Sequence, residues 1–141
     1  MDLQEKIYNL MKEYPLAALA TVTEQGKPWV RFIMIAAEKD LSIKFATHLN
    51  SRKVAQIKRN PEVHVACGAA LVDSLAPYVQ IAGTAKTSRT KTIRKAMWTD
   101  ALKKYFTGPD DANYCVGIIE PYRIEYYSMP KPPEVWTPAK K

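Results

Sequence analysis

The sequence RFIMIAAEKDLSIKFATHLNSRKVAQIKRNP, residues 31–61, organises the rest of the chain. It contains two apolar runs, residues 31–37 and 42–47, on either side of the polar residues 38–40, which is the pattern of two strands joined by a turn. After residue 50 the apolar positions change to helical spacing, and Asn60 and Pro61 end the run. A short helix therefore follows the second strand directly.

The start of that helix carries the charges and donors of an anion site. Ser51 is a suitable N-cap, because its hydroxyl can accept a hydrogen bond from a backbone N–H of the first turn. Arg52 and Lys53 add two positive charges where the helix dipole is also positive. Arg31 adds a third if the two strands pair as a hairpin. The stretch predicts a phosphate site, without the Gly-rich loop that nucleoside triphosphate binders use.

Two alternatives stay open for these basic residues. An isolated Ser-Arg-Lys run is more often an ordinary solvated helix start. Arg31 alternates with Trp29, Ile33 and Ile35 on a mostly apolar strand face, so it needs a counter-charge. A structural carboxylate could supply that charge, and so could a ligand phosphate.

The composition indicates one globular domain without a membrane span. The chain has 141 residues, 47% of them hydrophobic, which is enough for one core. Its two cysteines, Cys67 and Cys115, lack the C-x-x-C spacing of a zinc site and suit a reducing cytosol, so we expect a cytoplasmic protein. No apolar run approaches the roughly 18 residues that a spanning helix needs, and the amphipathic N-terminus does not resemble a signal peptide.

Much of the net charge of +7 lies in residues 86–104, where seven basic residues face Asp100 alone. Such a segment can bind nucleic acid or another polyanion. It is more often the solvated face of a helix, and no nucleic-acid motif accompanies it. We therefore do not favour a nucleic-acid partner.

The remaining chain is mostly strands. Besides residues 42–47, strands are predicted over residues 16–23, 28–37, 62–70, 78–87 and 113–127. Helices are predicted over residues 2–14, from about 52 to 60, and from a cap at Thr87 or Ser88 to about residue 105. Residues 71–77 suit a loop or a broken strand. Both faces of residues 28–37 are mostly apolar, so we expect this strand to be covered on both sides.

The order of these elements indicates the fold class. The strands come as hairpins and not as alternating β-α-β units, which favours an antiparallel sheet closed into a small barrel with flanking helices. The same order of strands disfavours the doubly wound nucleotide-binding fold, which needs a parallel sheet. Gly83 is expected to mark a bulge or a close approach. We assign residues 1–128 to the barrel domain and residues 129–141, with four prolines, to an extended arm.

Four pieces of the central stretch resemble the FMN-binding split barrels of the pyridoxamine 5′-phosphate oxidase-like family. They are an Arg that opens a strand, a Phe-Ala-Thr that ends one, a Ser-Arg-Lys, and a closing Asn-Pro: Arg31, residues 45–47, residues 51–53 and residues 60–61. Residues 96–127 are similar to the general-stress-protein branch of that family. The resemblance covers about residues 3–127 and implies a mainly β, six-stranded antiparallel split β-barrel.

The resemblance also implies a set of cofactor-binding residues. The FMN phosphate would lie on Arg31, Ser51, Arg52 and Lys53, with Phe45, Ala46 and Thr47 along the ribityl chain. The backbone of Phe32, Ile33 and Met34 would meet the edge of the isoalloxazine ring. Family members are homodimers with FMN at the subunit interface, which makes four residues candidates to close the partner's site: Tyr78, Gln80, Trp98 and Trp136.

A bound flavin would carry the redox chemistry itself, so no catalytic residue is assigned. His48 and His64 have no partners at metal-ligand spacing, and no metal site is predicted.

The favoured function is an FMN-dependent oxidoreductase with NADH or NADPH as one expected donor. The alternatives are a non-catalytic flavin-binding stress sensor or carrier and, less favoured, a basic nucleic-acid-binding barrel. Related barrels also accept deazaflavin or haem. Oxidation of vitamin B6 is not expected, because the Arg-x-His of the true oxidases has no counterpart.

Overall fold

The computed structural model describes residues 1–68 and 77–139. Its helices are α1 (Leu3–Glu13), α2 (Arg52–Arg59) and α3 (Lys91–Met97), and a 3₁₀ helix follows at Asp100–Lys104. Its strands are β1 (Leu16–Val22), β2 (Pro28–Met34), β3 (Ala36–Ala37), β4 (Ile43–His48), β5 (Glu62–Gly68), β6 (Tyr78–Ser88), β7 (Tyr114–Tyr127) and β8 (Glu134–Trp136). The loop or broken strand predicted over residues 71–77 falls almost entirely outside the described residues.

The strands form one curled antiparallel sheet in the order β2-β1-β5-β6-β7-β4-β3, with β8 beside β7. The predicted split β-barrel with flanking helices is confirmed. Six of the described strands have six or more residues, and β3 and β8 are short additions. The strand count differs from six because a break at Ile35 separates β3 from β2 and because residues 134–136 pair with β7.

The first hairpin joins β1 to β2 through a turn that contains a glycine. β1 pairs with β2 from Leu16 opposite Met34 to Val22 opposite Pro28, and Gly26 in the turn has a φ of 76°. The expected hairpin between residues 31–37 and 42–47 is wrong for most of its length. Only β3 pairs with β4, whereas β2 pairs with β1 at the opposite end of the sheet order.

Alternate side chains of the strands point inward and form the main core, and α1 adds Ile7, Leu10 and Met11 to it. Phe45 on β4 is fully buried and lies opposite Gly117 on β7. A β-carbon at residue 117 would overlap the Phe45 ring, so glycine makes room for the aromatic ring. The packing at this point fixes the path of β4 toward α2.

One face of β2 is bare. Ile33 and Ile35 are buried, but Val30, Phe32 and Met34 are 64%, 73% and 59% exposed. The expectation that this strand is covered on both sides is therefore wrong for the single chain. Only the inward side of β2 packs on the barrel. The exposed apolar surface of its outward side extends to Leu16 of β1, which pairs with Met34 and is 58% exposed.

The helix predicted to end near residue 105 stops at Met97 and starts two or three residues later than expected, with Thr90 as N-cap. Trp98 and Thr99 are extended and separate α3 from the 3₁₀ helix. The apolar residues of this segment divide accordingly. Ile93, Met97, Trp98 and Leu102 pack on a second core cluster around Tyr114, whereas Ala101 and Tyr105 are exposed.

The long pairing of β6 with β7 contains the irregularity predicted at Gly83. The register shifts between Ala82 and Gly83, opposite Pro121, and the carbonyl of Glu120 lies close to the glycine. This bulge lets a fourteen-residue strand bend around the barrel. Beyond it, β8 pairs with residues 124–126 of β7, and Trp136 donates a hydrogen bond from Nε1 to Gln4 of α1.

Candidate functional site

The site begins where β4 leads into α2. Ser51 occupies the N-cap position with extended backbone, but its side chain makes no capping bond. Its Oγ instead lies 3.1 Å from Oγ1 of Thr47, the last buried residue of β4. The predicted role of the Ser51 hydroxyl as a cap is therefore wrong. The first turn of α2 keeps backbone N–H groups without a side-chain cap, at the positive end of the helix dipole.

Lys53 extends this polar cluster. Its Nζ donates a hydrogen bond of 2.8 Å to Thr47 Oγ1, so three side chains from the strand end and the helix start meet at one hydroxyl. Thr47 is only 4% exposed, whereas Lys53 is half-buried. The ammonium group is thereby held over the end of β4.

Arg31 reaches the same region from β2. Its Nη1 donates to Thr21 Oγ1 at 2.7 Å, and its Nη2 donates to Gln56 Oε1 of α2 at 3.0 Å. Its other acceptors are the carbonyl oxygens of Leu19 and Trp29. All four acceptors are uncharged, and within residues 1–68 and 77–139 no carboxylate forms an ion pair with Arg31. The counter-charge that the sequence analysis required is not supplied by the described part of the chain.

The electrostatics show that the cations are close enough to oppose one another. Burial, and then the charge of Arg52, lower the pKa of the Arg31 guanidinium. Burial, and then the charge of Arg31, lower the pKa of Lys53. Arg52 itself lies over the ring of Trp29, with 5.8 Å between the guanidinium carbon and the ring centroid. An anion bound among these groups would offset both the repulsion and part of the desolvation cost. We call Arg31, Arg52 and Lys53 the cation cluster.

Three residues of the site were missed in the sequence analysis. Thr21 is a polar residue at an inward position of an otherwise apolar strand, and that mismatch could have marked it. Gln56 lies one helical turn after Arg52, a spacing that places both on the same side of α2. Trp29 alternates with Arg31 on one face of the strand, but that spacing alone does not mark a tryptophan as a site residue.

The other predicted residues of the central stretch point in different directions. Phe32 and Met34 face outward, Ile33 and Phe45 are buried in the main core, and Ala46 packs toward the second core cluster. Their side chains therefore do not converge on the cation cluster. Any role for them in a ligand site would involve backbone atoms, as the resemblance implies for residues 32–34.

The four candidates for a partner's site make no hydrogen bond or ring contact with the cation cluster of their own chain. Tyr78 and Gln80 are on β6, three strands from β2 and so roughly 14 Å across the sheet. Tyr78 stacks on Tyr127, with 5.0 Å between ring centroids. Trp98 meets Tyr114 edge-on at 5.6 Å, and Trp136 packs beside α1.

Residues 1–68 and 77–139 contain neither a metal-binding cluster nor a membrane-crossing helix. No group of three His, Cys, Asp or Glu side chains there is arranged to hold a metal ion. None of the helices there is long and apolar enough to cross a membrane.

The fold and the cation cluster define a class of antiparallel split barrels with a basic site at the start of a short helix. The chain belongs to the pyridoxamine 5′-phosphate oxidase family, whose sequence profile matches residues 3–128. It is 31% identical over 123 residues to general stress protein 26 of Bacillus subtilis (strain 168), a match that covers 87% of this chain and 86% of that protein.

Solved structures agree with this assignment. General stress protein 26 from Bacillus anthracis superimposes with a TM-score of 0.84 at 31% identity, covering 97% of this chain and 99% of that one. A haem-binding protein from Mycobacterium smegmatis shares the fold, with a TM-score of 0.80 at 18% identity, over 97% of this chain and 58% of that one. The chain is thus similar to general stress proteins over nearly all of its length.

Proposed function

We propose that this protein is a cytoplasmic homodimeric flavoprotein that binds FMN at the cation cluster and acts as an oxidoreductase. The observation that carries the proposal is the convergence of Arg31, Arg52 and Lys53 with no carboxylate among the described residues to neutralise them. A terminal phosphate has about −1.5 to −2 charges near neutral pH and is a suitable counter-ion.

The donors around the cluster suit a phosphate monoester. Arg31 and Lys53 are half-buried and held by neutral acceptors, and the uncapped first turn of α2 adds backbone N–H groups. The hydroxyls of Thr47 and Ser51 lie beside Lys53. From this anchor, the exposed strand β2 offers its backbone to the planar part of the ligand.

A second copy of the chain would complete the site. The bare outer face of β1 and β2 presents Leu16, Val30, Phe32 and Met34, which supports burial against an apolar partner surface. Tyr78 and Gln80 lie on the outer side of the same sheet, where neither side chain contacts the cation cluster of its own chain. A two-fold arrangement would allow them to serve the partner's site.

When bound, the flavin supplies the redox chemistry. The chain's own residues anchor the phosphate, orient the ring through the backbone of residues 32–34 and limit access of water once the second copy is in place. NADH or NADPH is the proposed electron donor.

A second candidate function is flavin binding without turnover, in a sensor or carrier. Within the described chain no carboxylate or histidine contacts Arg31 or Lys53 to act as a general acid or base, which is compatible with both candidates. Flavin chemistry does not require such a group, so the two candidates share one site and differ only in whether an electron donor reacts there.

The visible spectrum of the purified protein tests the proposal. Oxidised-flavin bands, with FMN identified after release, would support it; haem or deazaflavin bands, or a colourless protein that does not take up added FMN, would contradict it. Stopped-flow mixing with NADH and NADPH then separates the two candidates. Rapid bleaching of the flavin supports the oxidoreductase, and an unchanged spectrum supports the sensor or carrier.

A further inference from the structure

Arg31, Thr21 and Gln56 form a closed ring of hydrogen bonds. Arg31 donates from Nη1 to Thr21 Oγ1 and from Nη2 to Gln56 Oε1, and Thr21 and Gln56 are bonded to each other through the same two oxygen atoms. A guanidinium only donates, so the Gln56 atom that faces it must be the amide oxygen. The Thr21 hydroxyl accepts from Arg31 and must donate onward to Gln56. Each member therefore fixes the orientation of the next.

The ring orients a cation without neutralising it. Thr21 is 1% exposed and Gln56 is half-buried, so the hydrogen bonds of the ring are largely shielded from solvent. A glutamate at residue 56 could accept the same two hydrogen bonds with nearly the same shape, but it would also cancel the charge of Arg31. The amide keeps the hydrogen bonds and leaves the charge available to a ligand.

We propose that Gln56, together with Thr21, is a positioning residue that sets the anion affinity of the site by orienting Arg31 while leaving its charge uncompensated. This inference rests on the proposed function, in that the anion is taken to be the phosphate of a flavin. Gln56 need not touch that phosphate, because its effect acts through Arg31.

The proposal makes a prediction opposite to that of a purely structural role. If Gln56 only supports the fold, Gln56→Glu should be the mildest change, because it retains both acceptors. Gln56→Met, which keeps the length but loses them, should then be the more harmful. If Gln56 preserves the charge of Arg31, the order reverses and Gln56→Glu is the worse of the two for anion binding.

The experiment measures the affinity of the full chain for FMN, riboflavin and inorganic phosphate, by fluorescence quenching for the flavins and by calorimetry for phosphate. We expect Gln56→Glu to weaken FMN and phosphate binding by roughly 10- to 100-fold. We expect Gln56→Met to weaken them by less than about tenfold, and riboflavin binding to change by less than about threefold in both variants. Because riboflavin lacks the phosphate, it reports any general damage to the site.

Thr21 supplies a second, independent pair of variants. Thr21→Ser keeps the hydroxyl and should bind FMN and phosphate like the wild type. Thr21→Val removes the hydroxyl with little change in shape and should weaken both by roughly 3- to 10-fold. If Gln56→Glu fails to fold, this pair still tests the orienting role: FMN and phosphate binding by Thr21→Val equal to that of the wild type would overturn the inference.

The outcomes separate this inference from the proposed function. Tight FMN binding in the wild type with Gln56→Glu equal to it, or better than Gln56→Met, overturns the inference alone. If the wild type binds phosphate but does not prefer FMN over riboflavin, the proposed function fails and the phosphate affinities still decide the inference. If the wild type binds neither FMN nor phosphate, both are wrong.

Discussion

The ammonium of Lys53 lies 2.8 Å from the hydroxyl of Thr47, and this bond joins the start of helix α2 to the end of strand β4. The same hydroxyl lies 3.1 Å from that of Ser51. The contact therefore spans six residues of chain at the point where a strand changes into a helix. It places a half-buried cation next to the uncapped end of α2, and that arrangement is the basis of the proposed anion site.

The bare face of β2 should be an interface between two copies of the chain. Replacing Phe32, which is 73% exposed, by glutamate should produce a folded monomer, because a charge at the centre of an apolar interface is costly. FMN affinity should fall by roughly tenfold or more, since the partner would no longer close the site. Light scattering after size-exclusion chromatography, with flavin content, measures both effects.

A matched control is available on another surface. Tyr105 is also 73% exposed, and it follows the 3₁₀ helix, outside the cation cluster and outside strands β1 and β2. Tyr105→Glu should stay dimeric and keep its flavin. A Phe32→Glu protein that remains a dimer with full flavin content would show that the bare face has another use.

The basic segment around α3 contains residues of two kinds. Lys91 and Lys95 are exposed, whereas Arg94 is 9% exposed and donates a hydrogen bond from Nη1 to the carbonyl of Asp111. Replacing both lysines by glutamine should change the free energy of unfolding by less than about 0.5 kcal/mol and leave flavin content unchanged. Arg94→Gln should cost about 1–2 kcal/mol, because it removes a charged donor and the packing of its stem.

Urea unfolding and the flavin spectrum of the two variants and the wild type measure these effects. A clear loss of flavin in the double lysine variant would mean that the phosphate site has been placed on the wrong part of the surface. Equal stability of Arg94→Gln and the wild type would show that the bond to Asp111 contributes nothing.

Cys67 should make the stability of the protein fall at alkaline pH. Its Sγ donates to the carbonyl of Tyr14 at 2.9 Å, and burial raises the pKa of the thiol from 9.0 to about 11. The folded state thus keeps a proton that the unfolded state loses. This contribution is fully present below pH 9.0, and it is lost as the pH rises from there toward about 11.

The measurement is urea unfolding at several pH values between 7 and 11, the upper limit being the pKa of the folded thiol. Cys67→Ala should be less stable than the wild type at neutral pH, but its stability should fall less steeply above pH 9.0. Parallel curves for the two proteins would contradict the assignment of that slope to this thiol.

The elements with strong periodicity could be predicted from the sequence, and the departures have local causes. Asp2 caps α1 as its spacing with Glu5 indicates, and Gly26 and Gly83 mark a turn and a bulge. The break after Met97 was missed, because the apolar spacing continues through Trp98 although the backbone there is extended. Periodicity reports which side chains are apolar, and it does not report where the chain leaves the helix.

The site shows a second limit of sequence reasoning. The convergence of Arg31 with Arg52 and Lys53 was expected from a hairpin between β2 and β4 that does not form over that length. The approach depends instead on the curl of the sheet and on Gln56, which holds Arg31 against α2 across 25 residues of sequence. Such a contact has no local signature, so the residues that orient a cation are harder to predict than the cation itself.

The central claim is that the cation cluster binds the phosphate of FMN, and the double change Arg52→Ala and Lys53→Ala tests it most directly. Charge-assisted contacts contribute roughly 1.5–3 kcal/mol each, so losing two should weaken FMN binding by roughly two to four orders of magnitude. The protein should remain folded, because Arg52 is exposed and Lys53 only half-buried. Lys58→Ala with Arg59→Ala, at the other end of α2, removes the same charge and serves as the control.

The measurement is the dissociation constant of FMN and of riboflavin for the wild type, the double variant and the control. We expect the wild type to bind FMN much more tightly than riboflavin, and the control to bind both as the wild type does. The double variant should lose that preference and purify colourless, with little further change in riboflavin affinity. FMN affinity that survives in the double variant within a factor of about ten would contradict the account, because the phosphate would then be bound elsewhere.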